Sequence, residues 1–257
     1  MKKLLYMSLI VAMTATLFVG CKSDSAFNMK TAKVISIGVD DQYPPMEYRD
    51  DKNALIGFDV DLGNAIGKKL GVEIKWVPTA WSGITPSLQS KKFDMILSSM
   101  SINEERKKVV NFSDPYIQGG PVIVVKTGDT TIKTVDDLKD KVVGVQTGST
   151  GADAAEGIKG IKEVKKYDLI TQALQDLAAG RVTAVVADDQ VGRYYIALDP
   201  SKYALASKMS DEPFGIAFRK KDTELRDAVQ KAFNELKADG TLSTISQKWF
   251  KTDYYSK

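Results

Sequence analysis

Histidine is missing from the 257-residue sequence, and cysteine occurs once, at Cys21. Without histidine the chain has no Ser-His-Asp triad, no histidine-ligated metal and no histidine general base. A single cysteine also leaves no intramolecular disulfide. Such a chain can still bind ligands or carry out carboxylate or lysine chemistry, and we expect neither a metal nor a cofactor.

The N-terminus has the pattern of a secretory leader. Lys2 and Lys3 precede an apolar stretch over residues 4–18, which is short for a membrane span. Cys21 follows at the position of a lipoprotein cysteine, although Phe18 stands where such motifs usually carry Leu, Val or Ile. These features favour a lipid-modified leader over the alternative, an uncleaved N-terminal anchor helix.

We therefore predict that residues 1–20 are a signal peptide and that residues 21–32 are a polar tether lipidated at Cys21. The protein is then expected outside the cytoplasm, held by its lipid on the periplasmic face or the outer surface of the cell membrane. The chain carries 36 Lys and Arg against 33 Asp and Glu, and loss of Lys2 and Lys3 would leave a net charge of about +1. No basic excess therefore indicates nucleic-acid binding.

Strand-like and helix-like patterns alternate along the rest of the chain, in two α/β units. The first unit has apolar strand patterns and helical spacing over residues 34–40, 58–71, 72–78, 81–92 and 93–98. The second has them over residues 122–126, 134–140, 141–146, 169–180 and 182–188. Two further amphipathic helices close the sequence. The length is large for one compact domain, so we expect two lobes.

Two short segments, residues 119–123 and 212–216, mark where the chain leaves the first unit and re-enters it. We predict an α/β fold of two lobes joined by a hinge of two crossing strands. The first lobe comprises residues 33–118 and 214–257, and the second comprises residues 119–213. Two independent domains in series are the alternative, which the absence of linker-like composition between the units disfavours.

Four predicted strands end in polar residues, two in each unit. These ends are Asp40 to Tyr43, Ser98 to Ser101, Gln146 to Thr150, and Asp188 with Asp189. In open α/β sheets, ligands bind at the carboxyl ends of the strands. The four segments can therefore face one another across a cleft between the lobes.

Arg106 and Asp188 are the charged candidates for a ligand site. Arg106 follows Asn103, a good N-cap, so its charge opposes the helix dipole at a cost of about 0.3–1 kcal/mol. It is either an ordinary surface arginine or a fork that binds a carboxylate. Asp188 ends an apolar run and is either a helix N-cap or a partner for an ammonium. Together, on opposite lobes, the two residues would define a zwitterion, that is, an α-amino acid.

Tyr43 and Trp81 are the aromatic candidates, because each follows a predicted strand. Ordinary core packing is one explanation for them. The other is that they stack on the side chain of the ligand, with a cation–π contribution if that side chain is cationic.

Five segments, taken together, resemble the family-3 bacterial extracellular solute-binding proteins, which are the amino-acid receptors of ABC importers. The segments are YPPMEY, IGFDVDLGNAIGKKLG, WSGITPSLQSKKFDMILSSMSINEERKKVVNFSDPY, VGVQTGST and GRVTAVVADD. The resemblance extends from about Lys33 to Phe250. It implies a periplasmic-binding-protein-like fold of type II that closes on one free amino acid. It also implies a monomer without catalysis that docks on ABC permease subunits in the membrane.

The resemblance implies roles for five residues at the α-carbon end of the ligand. Arg106 would clamp the α-carboxylate, assisted by Ser101 and Thr150. Ser99 and Asp188 would hold the α-ammonium. A dehydratase-like enzyme on the same fold is the alternative, but it would need a general acid, and a zwitterion site leaves no evident free acid.

At the side-chain end, the resemblance implies that Tyr43 and Trp81 form aromatic walls and that Asp40, Ser98 and Gln146 line the pocket. Asp40 would pair with a cationic side chain, although a similar acid occurs in relatives that bind glutamine. We therefore expect a polar L-amino acid, with arginine or lysine first and glutamine next.

Overall fold

The computed structural model describes residues 26–256. The predicted signal peptide and Cys21 lie outside the described residues. Within them, no helix combines the length and the apolarity needed to span a bilayer. The second half of the predicted tether is docked on the fold, because Phe27 and Met29 pack against the core. The Phe27 N–H also donates to Asp222 Oδ1 at 2.9 Å.

The strands of the described chain are short, from two to six residues. They are β1 (Val34–Val39), β2 (Gln42–Tyr43), β3 (Glu47–Arg49), β4 (Leu55–Ile56), β5 (Glu73–Pro78), β6 (Met95–Ile96), β7 (Val110–Phe112), β8 (Ile117–Gly119), β9 (Pro121–Lys126), β10 (Val142–Gln146), β11 (Glu163–Tyr167), β12 (Ala184–Asp188), β13 (Tyr203–Lys208), β14 (Glu212–Phe214) and β15 (Ala217–Arg219).

The helices alternate with these strands. They are α1 (Phe58–Leu70), α2 (Ile84–Gln89), α3 (Glu104–Val109), α4 (Thr150–Gly157), α5 (Ile170–Ala178), α6 (Asp189–Leu198), α7 (Thr223–Ala238) and α8 (Thr241–Phe250), with 3₁₀ turns at Trp81–Gly83 and Val135–Leu138.

The first large sheet has the strand order β5-β1-β6-β15-β7. Strands β5, β1 and β6 are parallel neighbours, and β15 is antiparallel to β6 with Phe218 opposite Met95. Helix α1 packs against α7 and α8 on one face. Residues Ile84 and Leu88 of α2 pack on the opposite face. The last third of the chain therefore completes the sheet that the first third begins.

The second large sheet has the order β11-β10-β12-β9-β13, in which β9 is antiparallel to both of its neighbours. Its two faces belong to different apolar clusters. Val185 and Ala187 pack with Leu174 of α5, whereas Val186 packs with Ala152 of α4. This alternation is that of a strand buried on both faces, and it explains why the pattern of 182–188 reads as a continuous apolar run.

The two predicted crossing segments pair with each other. Strands β8 and β14 form a two-stranded antiparallel ladder, with Gly119 opposite Glu212 and Ile117 opposite Phe214. The ladder lies between the strands of the first sheet and those of the second along both chain segments. The lobe boundaries at residues 118 and 213 and the hinge role of the ladder stay predictions.

The pattern over residues 93–98 predicts a full strand, but the structure has only Met95 and Ile96 in the ladder. Backbone bonds extend the pairing by one residue at each end, from the Asp94 N–H to Ser36 O at 2.9 Å and from the Leu97 N–H to Gly38 O at 3.4 Å. Beyond Leu97 a side chain takes over, since the Asp40 N–H donates to Ser98 Oγ at 3.0 Å. The predicted helix over 134–140 is likewise a single 3₁₀ turn, closed by a capping box between Thr134 and Asp137.

Gly57 fixes how α1 meets the turn before β3. Its backbone has φ 142°, a region essentially restricted to glycine. A Cβ there would lie 2.1 Å from the Met46 carbonyl oxygen. The close approach lets the Asp59 N–H donate to Met46 O at 2.9 Å, and it therefore sets the position of Glu47 relative to α1.

We predict that Gly57→Ala lowers the free energy of unfolding by about 2–4 kcal/mol, because it combines overpacking with an unfavourable φ. Urea denaturation measures the loss. Gly157→Ala is the matched control, since a Cβ at Gly157 meets nothing within 4 Å. It should be neutral or stabilising by up to about 1 kcal/mol. Equal stability of the two variants would contradict the close approach.

Candidate functional site

All ten residues predicted for the site line one cavity between the two large sheets. The cavity is narrow and is lined by Asp40, Tyr43, Glu47, Trp81, Ser98, Ser99, Ser101, Arg106, Gln146, Ser149, Thr150 and Asp188. The structure therefore brings the ten together. Their roles in binding stay predictions.

Strand ends place these side chains. Asp40 follows β1, and Ser98 follows β6, its parallel neighbour in the first sheet. Gln146 ends β10, and Asp188 ends β12, which are parallel neighbours in the second sheet. The carboxyl ends of parallel neighbours meet at one edge of a sheet, so each sheet contributes one edge to the cavity.

Polar contacts join the two edges. The Tyr43 hydroxyl donates to Asp188 Oδ2 at 2.7 Å, and Gln146 Nε2 donates to Asp40 Oδ2 at 2.7 Å. Each contact pairs a residue of the first unit with one of the second. The cavity wall is therefore continuous only when both edges are present.

The start of α3 places Arg106 as the sequence predicts. Asn103 is the N-cap, and its Oδ1 accepts from the Arg106 N–H at 2.8 Å. Arg106 Nη1 donates to Ser101 O at 3.1 Å and Nη2 to Gly148 O at 3.4 Å. A guanidinium has five N–H donors, so within the described chain donors remain that are directed at the cavity.

Trp81 lies against this arginine. The Arg106 guanidinium carbon is 5.3 Å from the centroid of the Trp81 ring, which is a cation–π distance. Trp81 Nε1 donates to Gly148 O at 3.0 Å. One ring face is thus used by Arg106, and the indole also links the first unit to the loop before α4.

Asp188 occupies the N-cap position of α6, but its side chain makes no capping hydrogen bond. The ordinary explanation for this aspartate therefore does not hold, because the carboxylate points to Tyr43. Burial raises the pKa of Asp188 to about 6, and the Tyr43 hydrogen bond and the charge of Arg106 oppose that rise. The Arg106 guanidinium is half-buried, and burial lowers its pKa.

Asp40 is 3% exposed. Burial raises its pKa to about 6, and the hydrogen bond from Gln146 opposes the rise. Keeping a buried carboxylate ionised costs free energy unless a cation or a hydrogen-bond donor contacts it. Asp40 is therefore a buried acid and Asp188 a half-buried one, and a cationic ligand group would stabilise both.

The serines after β6 differ in how they use their hydroxyls. Ser98 Oγ accepts from the Asp40 N–H and donates to Glu47 Oε1 at 2.6 Å. Ser99 Oγ is buried and has no hydrogen-bond partner in the described chain. Ser101 Oγ lies 3.4 Å from Thr150 Oγ1, across the cavity. Ser98 thus uses its hydroxyl on two protein partners. The Ser99 side chain lies close enough to Asp59 to lower the pKa of that carboxyl.

Sequence reasoning missed Glu47 and Ser149. Ser149 is the N-cap of α4, and its Oγ accepts from the Ala152 N–H at 3.0 Å, so a capping pattern was available to find it. Glu47 begins β3, which is only three residues long. No periodicity marks a residue in so short a strand, and only the tertiary return of the chain brings Glu47 to the cavity.

Within residues 26–256, no cluster of three or more histidine, cysteine, aspartate or glutamate residues is arranged to hold a metal ion. The chemistry that the cavity offers is therefore that of one guanidinium, several carboxyls, hydroxyls and two aromatic rings. Opposite charges at its two edges suit a molecule that carries both signs.

Comparison with known proteins agrees with this chemistry. The chain is 34% identical over 247 residues to the L-cystine-binding protein TcyJ of Escherichia coli K12, covering 95% of this chain and 93% of that protein. It is 37% identical over 235 residues to the L-arginine-binding protein of Pseudomonas aeruginosa, covering 87% and 90%.

Several solved structures are also similar to this chain in sequence and in fold. An ancestral arginine-binding protein bound to arginine matches with TM-score 0.82 at 43% identity, over 85% of this chain and 98% of that one. An ancestral arginine-binding protein bound to glutamine matches with TM-score 0.82 at 43% identity, over 86% and 99%. The ancestral amino acid-binding protein AncCDT-1, described as a precursor of cyclohexadienyl dehydratase, matches with TM-score 0.80 at 38% identity, over 85% and 96%.

These matches confirm the predicted mixed α/β, two-lobed fold. The family model for bacterial extracellular solute-binding proteins, family 3, matches residues 35–252, which confirms the predicted resemblance. The chain belongs to family 3 of the bacterial extracellular solute-binding proteins.

Proposed function

We propose that the protein is an extracytoplasmic receptor that binds one polar L-amino acid and delivers it to an ABC permease. Arginine or lysine is the expected ligand, and glutamine comes next. The observation that carries this proposal is the placement of Arg106 and Asp188 at opposite edges of one cavity. The names of the related arginine-binding and cystine-binding proteins support an amino-acid ligand.

The α-carboxylate would bind at Arg106. A guanidinium meets a carboxylate bidentately, and Ser101 and Thr150 lie beside it at the cavity wall. Thr150 is the first residue of α4. The first N–H groups of a helix lack intrahelical partners and favour an anion, so the start of α4 would complete the carboxylate site.

The α-ammonium would bind between Asp188 and Ser99. Asp188 offers a carboxylate, and the buried Ser99 hydroxyl offers an acceptor that has no partner in the described chain. Entry of an ammonium would stabilise the ionised form of Asp188, whose pKa burial raises to about 6. Tyr43 would stay bonded to the same carboxylate and orient it.

The side chain of the ligand would extend toward Asp40 and Gln146. The buried Asp40 carboxylate suits a guanidinium or an ammonium, and the amide of Gln146 also suits a neutral amide such as that of glutamine. Tyr43 and Trp81 would form the walls. The contact of Trp81 with Arg106 means that this ring supports the carboxylate site as well.

Closure and binding would be one event. Contacts such as Tyr43 to Asp188 join the two edges of the cavity, and a ligand with both charges would add bonds to each edge. Binding would therefore shift the protein toward the closed form, with the β8–β14 ladder as the hinge. The closed monomer would dock on the permease.

A receptor role is favoured over a dehydratase-like enzyme. An elimination reaction needs a general acid aimed at a leaving group, whereas Asp188 bonds to Tyr43 and Asp40 bonds to Gln146. Both acids are thus engaged in the wall that would hold a zwitterion. The related ancestral structure that precedes a dehydratase is itself described as an amino acid-binding protein.

The ligand is tested by isothermal calorimetry with the twenty amino acids and cystine. We expect arginine or lysine to bind at least tenfold more tightly than leucine or glutamate, because Asp40 is a buried acid. Asp40→Asn should weaken binding of arginine more than binding of glutamine. Tight binding of an aliphatic or acidic amino acid alone would refute the ligand class, and product formation from any substrate would refute the receptor role.

The zwitterion site is tested by Arg106→Ala and Asp188→Asn. Each should cost about 2–5 kcal/mol of binding free energy, since each leaves one ligand charge buried without a partner. Lys107→Ala is the matched control on the same helix, because Lys107 is exposed and pairs with Glu104 at 2.8 Å. Unchanged affinity in both site variants would place the ligand elsewhere.

The lipid anchor is proposed from Cys21, and palmitate labelling in cells tests it. The label should be present on the wild-type protein and absent from the Cys21→Ser variant. This variant should also be lost from the membrane fraction. A processed N-terminus without label would contradict lipidation but would not count against the proposed amino-acid receptor function.

A further inference from the structure

Two buried carboxyl groups, one of which lines the cavity, contact Ser98 and Ser99 in the cavity wall. Glu47 of β3 and Asp59 of α1 are both 0% exposed. The close approach at Gly57 brings them together, because it ties the first turn of α1 to the turn that precedes β3. Two adjacent buried carboxylates would repel each other strongly. Their hydrogen bonds show how this repulsion can be avoided.

One oxygen of each carboxyl has clear partners. Glu47 Oε1 accepts from Ser98 Oγ at 2.6 Å. Asp59 Oδ2 accepts from the Ser99 N–H at 2.9 Å and from the Tyr116 hydroxyl at 2.9 Å. The pair therefore contacts two consecutive residues of the cavity wall.

The other two oxygens, Glu47 Oε2 and Asp59 Oδ1, are buried and have no donor among the described residues. Two ionised carboxyls cannot satisfy each other, because both only accept. A single proton removes the conflict, since a neutral carboxylic acid donates one hydrogen bond to the neighbouring carboxylate. Such a hydrogen bond would leave neither of these buried oxygens without a partner.

The charges around the pair indicate which carboxyl holds the proton. Burial, then the neighbouring charges of Asp59 and Asp40, raise the pKa of Glu47 well above its ordinary value, against the bond from Ser98. Burial raises the pKa of Asp59 to about 6, and bonds from Ser99, Tyr116 and Glu47 limit that rise.

The remaining groups that face the pair are tyrosines. Burial, followed by nearby acid charges that include Glu47 or Asp59, raises the pKa values of Tyr43, Tyr116 and Tyr255. These phenols stay neutral and donate or accept without adding charge. Asp59 Oδ2 accepts two hydrogen bonds and Glu47 Oε1 accepts one. Because hydrogen bonds stabilise the charged form of a carboxyl, the geometry favours the negative charge on Asp59 and the proton on Glu47.

Ser99 shows what the pair does for the cavity. Its backbone has φ 47°, a left-handed conformation that is unfavourable for a residue with a Cβ. The Asp59 carboxylate and the Tyr116 hydroxyl both hold the Ser99 N–H, at 2.9 and 3.1 Å. This conformation leaves the Ser99 hydroxyl in the wall without a partner in the described chain.

We propose that Glu47 and Asp59 share one proton and act as positioning residues, which hold Ser98 and Ser99 in the orientation that binds the ligand. The effect on binding rests on the proposed function, whereas the shared proton does not. Glu47 fixes the Ser98 hydroxyl and through it the Asp40 N–H. Asp59 fixes the strained backbone of Ser99.

The shared proton is tested without any ligand, by infrared spectroscopy at neutral pH. The wild-type protein should show the carbonyl band of a buried protonated carboxyl, which Glu47→Gln removes. Glu224→Gln, at an exposed position in the first turn of α7, should leave the band unchanged. Absence of the band from the wild-type protein, or its persistence in Glu47→Gln, would overturn the shared proton.

Stability against pH gives a second test of the proton. The pKa of Glu47 is raised in the folded protein, so its contribution to stability is fully present below the ordinary value of 4.5 and is lost as pH rises toward the raised value. Glutamine supplies the same donor at every pH. The urea midpoint of Glu47→Gln minus that of wild type should therefore increase as pH rises from 4.5, and a constant difference would count against the proposal.

The positioning role is tested by binding of L-arginine to five variants, one of which is Asp59→Asn. Glu47→Leu and Asp59→Leu should each lose at least tenfold in affinity, and Glu47→Gln should recover most of the loss seen in Glu47→Leu. In the double variant Glu47→Gln/Asp59→Asn, the two amide oxygens accept the bonds from Ser98 and Ser99, so the two amide NH₂ groups face each other. The double variant should therefore bind L-arginine more weakly than the product of the single changes predicts. Glutamine no better than leucine at position 47 would overturn the role.

These measurements separate the two proposals. If no amino acid binds the wild-type protein while the infrared band is present, the proposed function fails and the shared proton stands. If L-arginine binds and Glu47→Leu, shown to be folded by its unfolding transition, binds equally well, the positioning role fails and the proposed function stands.

Discussion

The cavity depends on one constraint: two separate sheets must present the carboxyl ends of their parallel strands to each other. Neither edge satisfies all of its own polar groups, although Ser98 and Glu47 pair within one edge. Tyr43 needs Asp188, and Gln146 needs Asp40, from the opposite edge. Because these groups are buried, losing a partner would leave an unpaired polar atom out of water. Any change in the relative position of the two sheets would therefore also change the hydrogen bonds of the cavity wall.

The charge inside the cavity region is unbalanced. Asp40 and Asp59 are buried and Asp188 is half-buried, and burial raises the pKa of each to about 6. Arg106 is the cation that lines the cavity with Asp40 and Asp188. A neutral Glu47 limits the surplus of negative charge but does not remove it. A ligand with one net positive charge would bring the region closer to neutrality than a neutral or acidic one, which gives the preference for a basic amino acid an electrostatic basis.

Much of the fold could be predicted from local patterns. Helix α1 was predictable because Phe58, Leu62 and Ile66 repeat at helical spacing and Gly71 ends it in a left-handed conformation. Site residues at strand ends were predictable because an apolar run that stops in polar residues marks the carboxyl edge of a sheet. Strands such as β11 and β13 were missed, since their residues are half-exposed and mixed in polarity.

Glu47 and its partner could not be predicted in the same way. Asp59 has the sequence pattern of an ordinary acid in the first turn of a helix, and Glu47 lies in a strand too short to have a period. Their contact depends on Gly57, whose missing Cβ lets two backbones approach. That information is tertiary: nothing within ten residues of either acid shows that both are fully buried, or that their partners would be Ser98 and Ser99.

The position of β15 has a consequence for how much of the chain each sheet requires. Strand β7 joins the first sheet only through β15, which is inserted between β6 and β7. The second sheet is built from a continuous stretch, β9 to β13, and needs no later strand. The first sheet needs residues 217–219, and without them the edge of β6 is uncovered. The sheet that the first third of the chain begins is thus completed only by the last third, and the cavity between the two sheets requires almost all of the described chain.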